Sequence, residues 1–315
     1  MRTILITGGS GFVGSGLAEK MISDPENFVV IVDDLTTGDI TKLPKMPKDN
    51  WRFIKCDVNN YRDISEVMHT FRFDYVFHYA AVVGVLRTQM YPVSVLKDIQ
   101  GFENILNLSK NSYVKRVYFS SSSEVYGEPV ELPQNEITTP LNSRVPYAVV
   151  KNVGESYFRS YKKEYDLDYT IFRFFNTYGP KQSKDFVMSR FISMALKDQN
   201  ISIYGDGSQS RTFCYIQDNV DACYNNFMNA VNKINTKNEV INVGSDYELS
   251  ILELAEKIIR ITNSKSKIVF KAPLEEGDMQ RRYPDITKMR KLLNRELLPI
   301  DDGIKKILDN PHFLR

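Results

Sequence analysis

The sequence predicts an α/β protein, built as a doubly wound parallel sheet with a smaller C-terminal substrate-binding lobe. Three observations predict it. Short apolar runs alternate with longer stretches of helical period through the first half. The first of those runs leads straight into a glycine-rich turn that opens a helix. From about Asn176 the alternation loosens, and turn residues cluster at Tyr178-Gly179-Pro180 and Gly205-Asp206-Gly207-Ser208.

The elements follow in order. Thr3 to Thr7 reads as a buried strand and Phe12 to Ser23 as a helix. Phe28 to Val32 is a second strand, rich in β-branched residues. Further strands are expected at Trp51 to Cys56, Tyr75 to Tyr79, Val117 to Ser120 and Thr170 to Phe174. Helices suit Tyr61 to Thr70, Val93 to Ser112 and Tyr147 to Lys163. Thr36 to Asp49, with two prolines and several lysines, reads as an exposed loop. A late strand, Glu239 to Val243, precedes a helix, Ile251 to Thr262. The expected division is 1–175 for the dinucleotide domain, with return segments around 213–245, and 176–315 for the second lobe.

Composition excludes several classes. Of 315 residues, 42% are hydrophobic and 25% charged, with a formal net charge of +2. That balance offers no basic footprint for nucleic acid. No apolar run approaches the roughly 20 residues that span a bilayer, and no signal-peptide core is visible. A cytoplasmic location is the expectation. Cys56, Cys214 and Cys223 are odd in number and widely spaced, so free buried thiols are expected. His69, His78 and His312 have no metal-ligand spacing, and no metal site is expected.

The turn is Thr7-Gly8-Gly9-Ser10-Gly11-Phe12-Val13-Gly14. Gly8 permits the tight turn, Gly11 lets a pyrophosphate approach the backbone, and Gly14 lets the helix pack on the sheet. The helix start adds free N–H groups and a positive dipole end. Asp33 ends the second strand, nineteen residues after Gly14. A carboxylate there accepts hydrogen bonds from the adenosine ribose and repels a 2′-phosphate, which favours NAD over NADP. Asp57, after the third strand, is placed either near the adenine or as a helix N-cap. Together these features describe a Rossmann-type dinucleotide site.

Tyr147 and Lys151 lie four residues apart after Pro146, on one face of a helix. An ammonium beside a phenol favours the phenolate, so the tyrosine can serve as a base near neutral pH. Upstream, the run Ser120-Ser121-Ser122-Ser123-Glu124-Val125-Tyr126-Gly127 follows a strand, where a hydroxyl can meet the same substrate oxygen.

Over nearly its whole length the chain resembles the extended short-chain dehydrogenase/reductases that act on nucleotide sugars as epimerases, dehydratases and decarboxylases. The resemblance rests on the glycine turn, His78-Tyr79-Ala80-Ala81, the serine run and Tyr147-x-x-x-Lys151. It continues through Arg173-Phe174-Phe175-Asn176-Thr177-Tyr178-Gly179-Pro180, Tyr204-Gly205-Asp206-Gly207, Arg211-Thr212-Phe213 and Arg281-Arg282-Tyr283-Pro284-Asp285-Ile286. It implies that Tyr147 takes the proton from the sugar 4-hydroxyl while a hydride passes from C4 to NAD. Ser122 would bond that oxygen, and Lys151 would hold the nicotinamide ribose. Further cofactor contacts are implied at Phe12, Val13, Val58 and Ala80. Asn176, Tyr204, Arg211 and Arg282 match positions that grip the nucleotide diphosphate, a task that suits arginine forks.

The fate of the 4-keto intermediate is read from a few positions. Glu124 matches the acid that dehydratases and decarboxylases of this group carry. Ser123 stands where glucose dehydratases typically have aspartate. Arg144, three residues before Tyr147, resembles the cation of the decarboxylases that act on UDP-glucuronate and suits the C6 carboxylate; a plain surface charge is the alternative. The resulting order is decarboxylase, 4-epimerase, 4,6-dehydratase, then a stand-alone C4 oxidase. A silent NAD-binding regulatory protein is the alternative from another class. Two departures stand out: Asp98 replaces the usual asparagine, and Val82-Val83-Gly84-Val85 differs from the usual decarboxylase loop. By resemblance, a homodimer is expected through Val93 to Ser112 and Tyr147 to Lys163, with a place in polysaccharide precursor synthesis.

Overall fold

The computed structural model describes residues 1–47, 49–234, 238–273, 279–310 and 313. His312 and the Val85 side chain lie outside the described residues. In chain order the first elements are β1 (Arg2–Thr7), α1 (Phe12–Ile22), β2 (Asn27–Asp33), β3 (Trp51–Lys55), α2 (Tyr61–Phe71) and β4 (Tyr75–His78). Then come α3 (Val85–Met90), α4 (Pro92–Leu96), α5 (Asp98–Asn111), β5 (Arg116–Ser122), α6 (Pro146–Tyr165) and β6 (Tyr169–Phe174). The second half holds β7 (Thr177–Tyr178), α7 (Val187–Ala195), β8 (Ile201–Tyr204), β9 (Ser210–Thr212), β10 (Cys214–Tyr215) and α8 (Ile216–Val231). It ends with β11 (Glu239–Val243), β12 (Glu248–Ser250), α9 (Ile251–Thr262), β13 (Ile268–Lys271), α10 (Thr287–Leu293) and α11 (Ile300–Leu308).

Among the described residues, seven strands form one sheet in the order β11-β6-β5-β4-β1-β2-β3. The pairs β1–β2, β1–β4, β2–β3 and β4–β5 are parallel. Strand β5 is buried at every position, as a strand covered by helices on both faces must be. Strand order reverses between β1 and β4. In such sheets the crevice beyond the carboxyl ends at the reversal is where ligands bind.

The chain divides into two compact units. One comprises Met1–Val125, Ser143–Arg173 and Val220–Ile241; the other Tyr126–Asn142, Phe174–Asn219 and Asn242–Arg315. Each has its own apolar core. That of the first gathers Leu5, Val30, Val76, Val117, Phe119 and Ile171 from the sheet, with Phe102 and Phe158 from the helices. That of the second gathers Phe191, Ile203, Leu254, Ile258 and Ile304. No helix among the described residues is long and apolar enough to cross a membrane.

Two expected elements differ in detail. The helix expected over Val93 to Ser112 is two helices, α4 and α5, jointed at Lys97. Lys97 keeps helical angles, but its carbonyl accepts from the Gln100 amide, tightening the chain there. The loop at Thr36 to Asp49 contains one short 3₁₀ turn, Ile40–Lys42, capped by the Asp39 side chain.

Candidate active site

The turn after β1 is shaped by steric necessity. Gly8 has φ +65, and a Cβ on it would stand 2.7 Å from the Ala80 Cα. The end of β1 therefore lies directly against the end of β4, at the strand reversal. At Gly14 a Cβ would collide with the Gly8 carbonyl, so α1 begins tight on the turn. Gly11 closes the turn by donating its amide to the Gly8 carbonyl at 3.0 Å. Gly11 also stands at the N-cap of α1 with no side-chain cap. Phe12 and Val13 form the first turn of the helix. The result is a bare backbone cradle at a helix N-terminus, the form that fits a pyrophosphate.

Asp33, 7% exposed at the end of β2, accepts from the Ser10 amide at 3.0 Å and the Leu35 amide at 2.9 Å. The carboxylate thus ties the glycine turn to β2 and retains lone pairs for further donors. Asp57 is not the N-cap of α2. Asn60 holds that place, accepting from the Arg62 amide, because the Asp57 carboxylate is already turned to the Asn59 amide. Val58 is buried beside it, and its carbonyl accepts from the Asn104 side chain.

Thr7 is a residue that the glycine pattern alone did not single out. Its hydroxyl accepts from the amides of Tyr79 and Ala80, both at 3.1 Å, and bonds His78 Nδ1 at 3.0 Å. With two donors already directed at the oxygen, its own proton goes to Nδ1, so His78 carries its proton on Nε2. Burial, helped by the Lys151 charge, drops the His78 pKa to about 3.

The expected catalytic pair, Tyr147 and Lys151, sits on α6. Val145 is extended, Pro146 occupies the first helical position, and Lys162 and Lys163 complement the far end of the dipole. Lys151 is 2% exposed and donates to the Ser120 carbonyl at 2.7 Å. Its ammonium lies 5.8 Å from the Tyr147 ring centre and 5.0 Å from that of Phe119. Burial lowers its pKa to about 8, against the opposing charge of Asp98. Tyr147 is half-buried.

The serine run ends β5 in a short 3₁₀ turn, Ser123–Tyr126. Each hydroxyl has its own setting. Ser121 donates to Glu155 at 2.7 Å, and Ser122 Oγ accepts from the Glu124 amide at 3.2 Å. Ser123 is 2% exposed, and Glu124 is half-buried. Glu155, fully buried, grips Arg173 through two bonds of 2.8 and 2.7 Å and accepts from Arg159 at 2.9 Å. This cluster holds α6 against β5 and β6. Its sequence signal was the acid one turn beyond Lys151.

Arg144 is exposed, three residues before Tyr147, and makes no hydrogen bond or ion pair among the described residues.

The remaining expected residues belong to the second unit. Arg211 on β9 is 7% exposed and donates to the Ser210 carbonyl. Arg282 is 8% exposed and its Nε points to Met279 Sδ. The doublet is split by function: Arg281 faces outward in a two-bond pair with Glu248, whereas Arg282 turns inward. A parallel bridge between Ser210 and Arg281 lays this strip alongside β9, which brings the Arg211 and Arg282 backbones together. Tyr204 ends β8, with the Arg190 guanidinium 5.9 Å and the Lys271 ammonium 6.0 Å from its ring. The Asn176 carbonyl accepts from the Cys214 amide, leading into β10.

Comparison with known proteins agrees with this geometry. Residues 4–244 match the model of the NAD dependent epimerase/dehydratase family. This chain belongs to that family. A putative UDP-glucose 4-epimerase of Methanocaldococcus jannaschii is 34% identical over 97% of each chain. A UDP-glucuronic acid decarboxylase of Danio rerio is 33% identical over 98% of this chain and 72% of its own. Among solved structures, UDP-glucuronic acid 4-epimerase from Bacillus cereus, in complex with UDP-glucuronic acid and NAD, superposes with a TM-score of 0.86 at 29% identity, over 98% of both chains. The protein is an NAD-dependent enzyme of this nucleotide-sugar family, and the glycine cradle with Asp33 fits that cofactor.

Proposed function

We propose that this enzyme oxidises C4 of a nucleotide-diphosphate sugar and uses the ketone to decarboxylate a UDP-glucuronate-like substrate. The observation that carries the choice of reaction is Arg144: an exposed cation without an ion-pair partner among the described residues, just before the helix that bears Tyr147 and Lys151. Arg144 and the positive end of α6 both favour an anionic group on the sugar.

NAD, held by Gly8, Gly11, Phe12, Val13, Gly14, Asp33, Asp57, Val58 and Ala80, supplies the hydride acceptor for C4 when bound. Tyr147 takes the proton of the 4-hydroxyl, and the Lys151 ammonium lowers the cost of its phenolate. Ser122 receives the Glu124 amide on its oxygen and so keeps its proton for the substrate oxygen. The ketone at C4 leaves the C6 carboxylate β to a carbonyl. The C5–C6 bond then breaks, carbon dioxide departs, and the electron pair moves to the C4 oxygen as an enolate. Tyr147 and Ser122 donate to that oxygen. Ser123 and Glu124 supply the hydroxyl and carboxyl that return a proton to C5. Tyr147 then gives its proton back to the C4 oxygen as the hydride returns to C4, which leaves a pentose lighter than the substrate by carbon dioxide. Asn176, Tyr204, Arg211 and Arg282 hold the nucleotide diphosphate. A 4-epimerase is the second reading, supported by the Methanocaldococcus relative.

A homodimer through the outer face of α6 goes with this reading. That face carries a groove lined by Val153, Tyr157, Tyr161 and Tyr165. Val93 and Leu96 of α4, the helix packed against α6, are 69% and 47% exposed. Light scattering should give twice the chain mass, and Tyr161→Glu should give a monomer. A cytoplasmic site of action also fits, since Cys56, Cys214 and Cys223 are buried free thiols.

The test is incubation with NAD and a panel of UDP-glucuronate, UDP-glucose, GDP-mannose and UDP-N-acetylglucosamine, read by mass spectrometry. A product lighter than UDP-glucuronate by carbon dioxide is expected. UDP-glucuronate left intact would overturn the decarboxylase reading. Loss of water from another sugar would then indicate a dehydratase, and an unchanged mass with altered chromatography an epimerase.

A further inference from the structure

The last three residues of β5 have separate tasks. The Ser120 carbonyl accepts from Lys151, and the Ser122 hydroxyl, which accepts from the Glu124 amide, is placed for the substrate oxygen. Between them, the Ser121 side chain belongs to the opposite face of the strand. That face packs on α6. Phe119, two residues earlier, stacks on Phe158 of α6 with 4.8 Å between ring centres, and a Cβ on Gly154 would stand 2.6 Å from the Phe119 ring. Helix α6 thus lies directly on β5, and Glu155, next to Gly154, meets Ser121.

Glu155 is fully buried, and its carboxylate is saturated. Oε1 accepts from Ser121 Oγ at 2.7 Å and from Arg173 Nε at 2.8 Å. Oε2 accepts from Arg173 Nη2 at 2.7 Å and from Arg159 Nη2 at 2.9 Å. A carboxylate has about four acceptor positions, so the group is fixed from every side. Burial alone would raise its pKa, but the bonds from Arg173 and Ser121 hold it below the ordinary carboxylate value. Packing does not require the charge: apolar side chains of similar volume often replace a buried ion pair without loss of stability. Such side chains offer no fixed acceptor to the Ser121 hydroxyl.

We propose that Glu155 is a positioning residue for catalysis: through the Ser121 hydroxyl it fixes the end of β5, and with it the place of the Ser122 hydroxyl. The role rests on the reading of Ser122 and Tyr147 given above. Arg173 of β6 keeps the carboxylate charged and in place from the neighbouring strand. Arg159, its side chain 43% exposed, reaches the same carboxylate from the surface. When the Ser121 bond is lost, Ser122 is no longer held to one position. A small misplacement of a group that acts on the reacting oxygen lowers the rate of the chemical step. The affinity for NAD and for the nucleotide diphosphate, held by other residues, stays the same.

The experiment compares variants of the NAD-bound enzyme. Ser121→Ala removes one hydroxyl and leaves Glu155 with both arginines. By NMR, the Glu124 amide, whose acceptor is Ser122 Oγ, should then exchange with D₂O about tenfold faster or more. In stopped flow with the nucleotide sugar that reduces the bound NAD, the rate of NADH appearance should fall about tenfold or more, with KM and NAD affinity nearly unchanged. Glu155→Gln should lower the rate likewise, and the double variant should be no slower than the slower single one. Should Glu155→Gln fail to fold, Ser121→Ala decides the matter. Arg159→Ala is the control: it removes a bond to the same carboxylate but not the one to Ser121, so it should lower stability and leave the rate. Unchanged Glu124 exchange or an unchanged NADH rate in Ser121→Ala, or an equal fall in Arg159→Ala, would overturn the proposal and leave Glu155 a merely structural link. If no sugar reduces the NAD, the oxidation reading fails, while the exchange measurement still decides whether Glu155 holds the end of β5.

Discussion

The glycine turn of the first unit and the arginine strip of the second are built by different means. In the turn the backbone is the functional group. Gly8 and Gly14 stand where any Cβ would strike the neighbouring backbone, and Asp33 holds the Ser10 amide from the next strand. The strip depends on side chains set by pairing between distant segments. Arg211 sits on a strand of three residues, and Arg282 follows the single bridge from Arg281 to Ser210. Changes in the turn should therefore remove the cofactor and strain the fold together. Changes in the strip should weaken one ligand and leave the other.

Substitutions that break this contrast would be informative. The largest effect is expected between the two regions' tasks, at the chemical step. Tyr147→Phe should lower kcat about 10²–10⁴-fold, while calorimetry finds NAD affinity nearly unchanged. Next is Gly8→Val, which puts a β-branched side chain at φ +65 against Ala80. It should abolish NAD binding and cost about 1–3 kcal/mol from the backbone angle alone, read by denaturant titration. If NAD binding survives, the turn is not the cradle described.

Arg282→Lys, in the strip, should raise the KM for the nucleotide sugar about tenfold or more, because the ammonium keeps the charge but not the two-pronged donor. NAD affinity should not move. A matching loss of NAD affinity would show that the two regions are not separable in this way.

The smallest effect tests the seam between β1 and β4. Folded His78 has a pKa of about 3 against an ordinary 6.5, because burial disfavours its charged form. Below 6.5 the unfolded chain binds a proton that the folded chain does not, so stability falls as pH drops toward 3. The slope is at most about 1.4 kcal/mol per pH unit, or about 2 kcal/mol between pH 6.5 and 5. His78→Asn should shrink the stability difference between pH 7 and pH 5 by that amount in chemical denaturation.

The same contrast explains what the sequence reveals. The glycine turn, β1, Asp33 and the Tyr147–Lys151 pair are local patterns, each read within one strand–helix unit or one helical turn. The late elements β11 and α9 are equally legible, since the strand is a short run rich in β-branched residues and the helix carries a Ser250–Glu253 capping box. The joint at Lys97 was hidden because the helical period continues across it. Strands β7 to β10 are only two to four residues long, too short for any period to show. The inward turn of Arg282 and the outward turn of Arg281 depend on Glu248, more than thirty residues away. The Thr7 hydroxyl acts across to Tyr79 and Ala80, a link that spacing along the chain does not carry.

The central claim, oxidation at C4 followed by loss of the C6 carboxylate, is tested most directly by running the reaction on UDP-glucuronate in D₂O with NAD present. The account predicts a decarboxylated product with one deuterium at C5, taken from solvent when the enolate is protonated, and an unlabelled C4–H. A product that keeps its carboxylate and carries no deuterium would contradict it and assign the C4 oxidation to epimerisation instead.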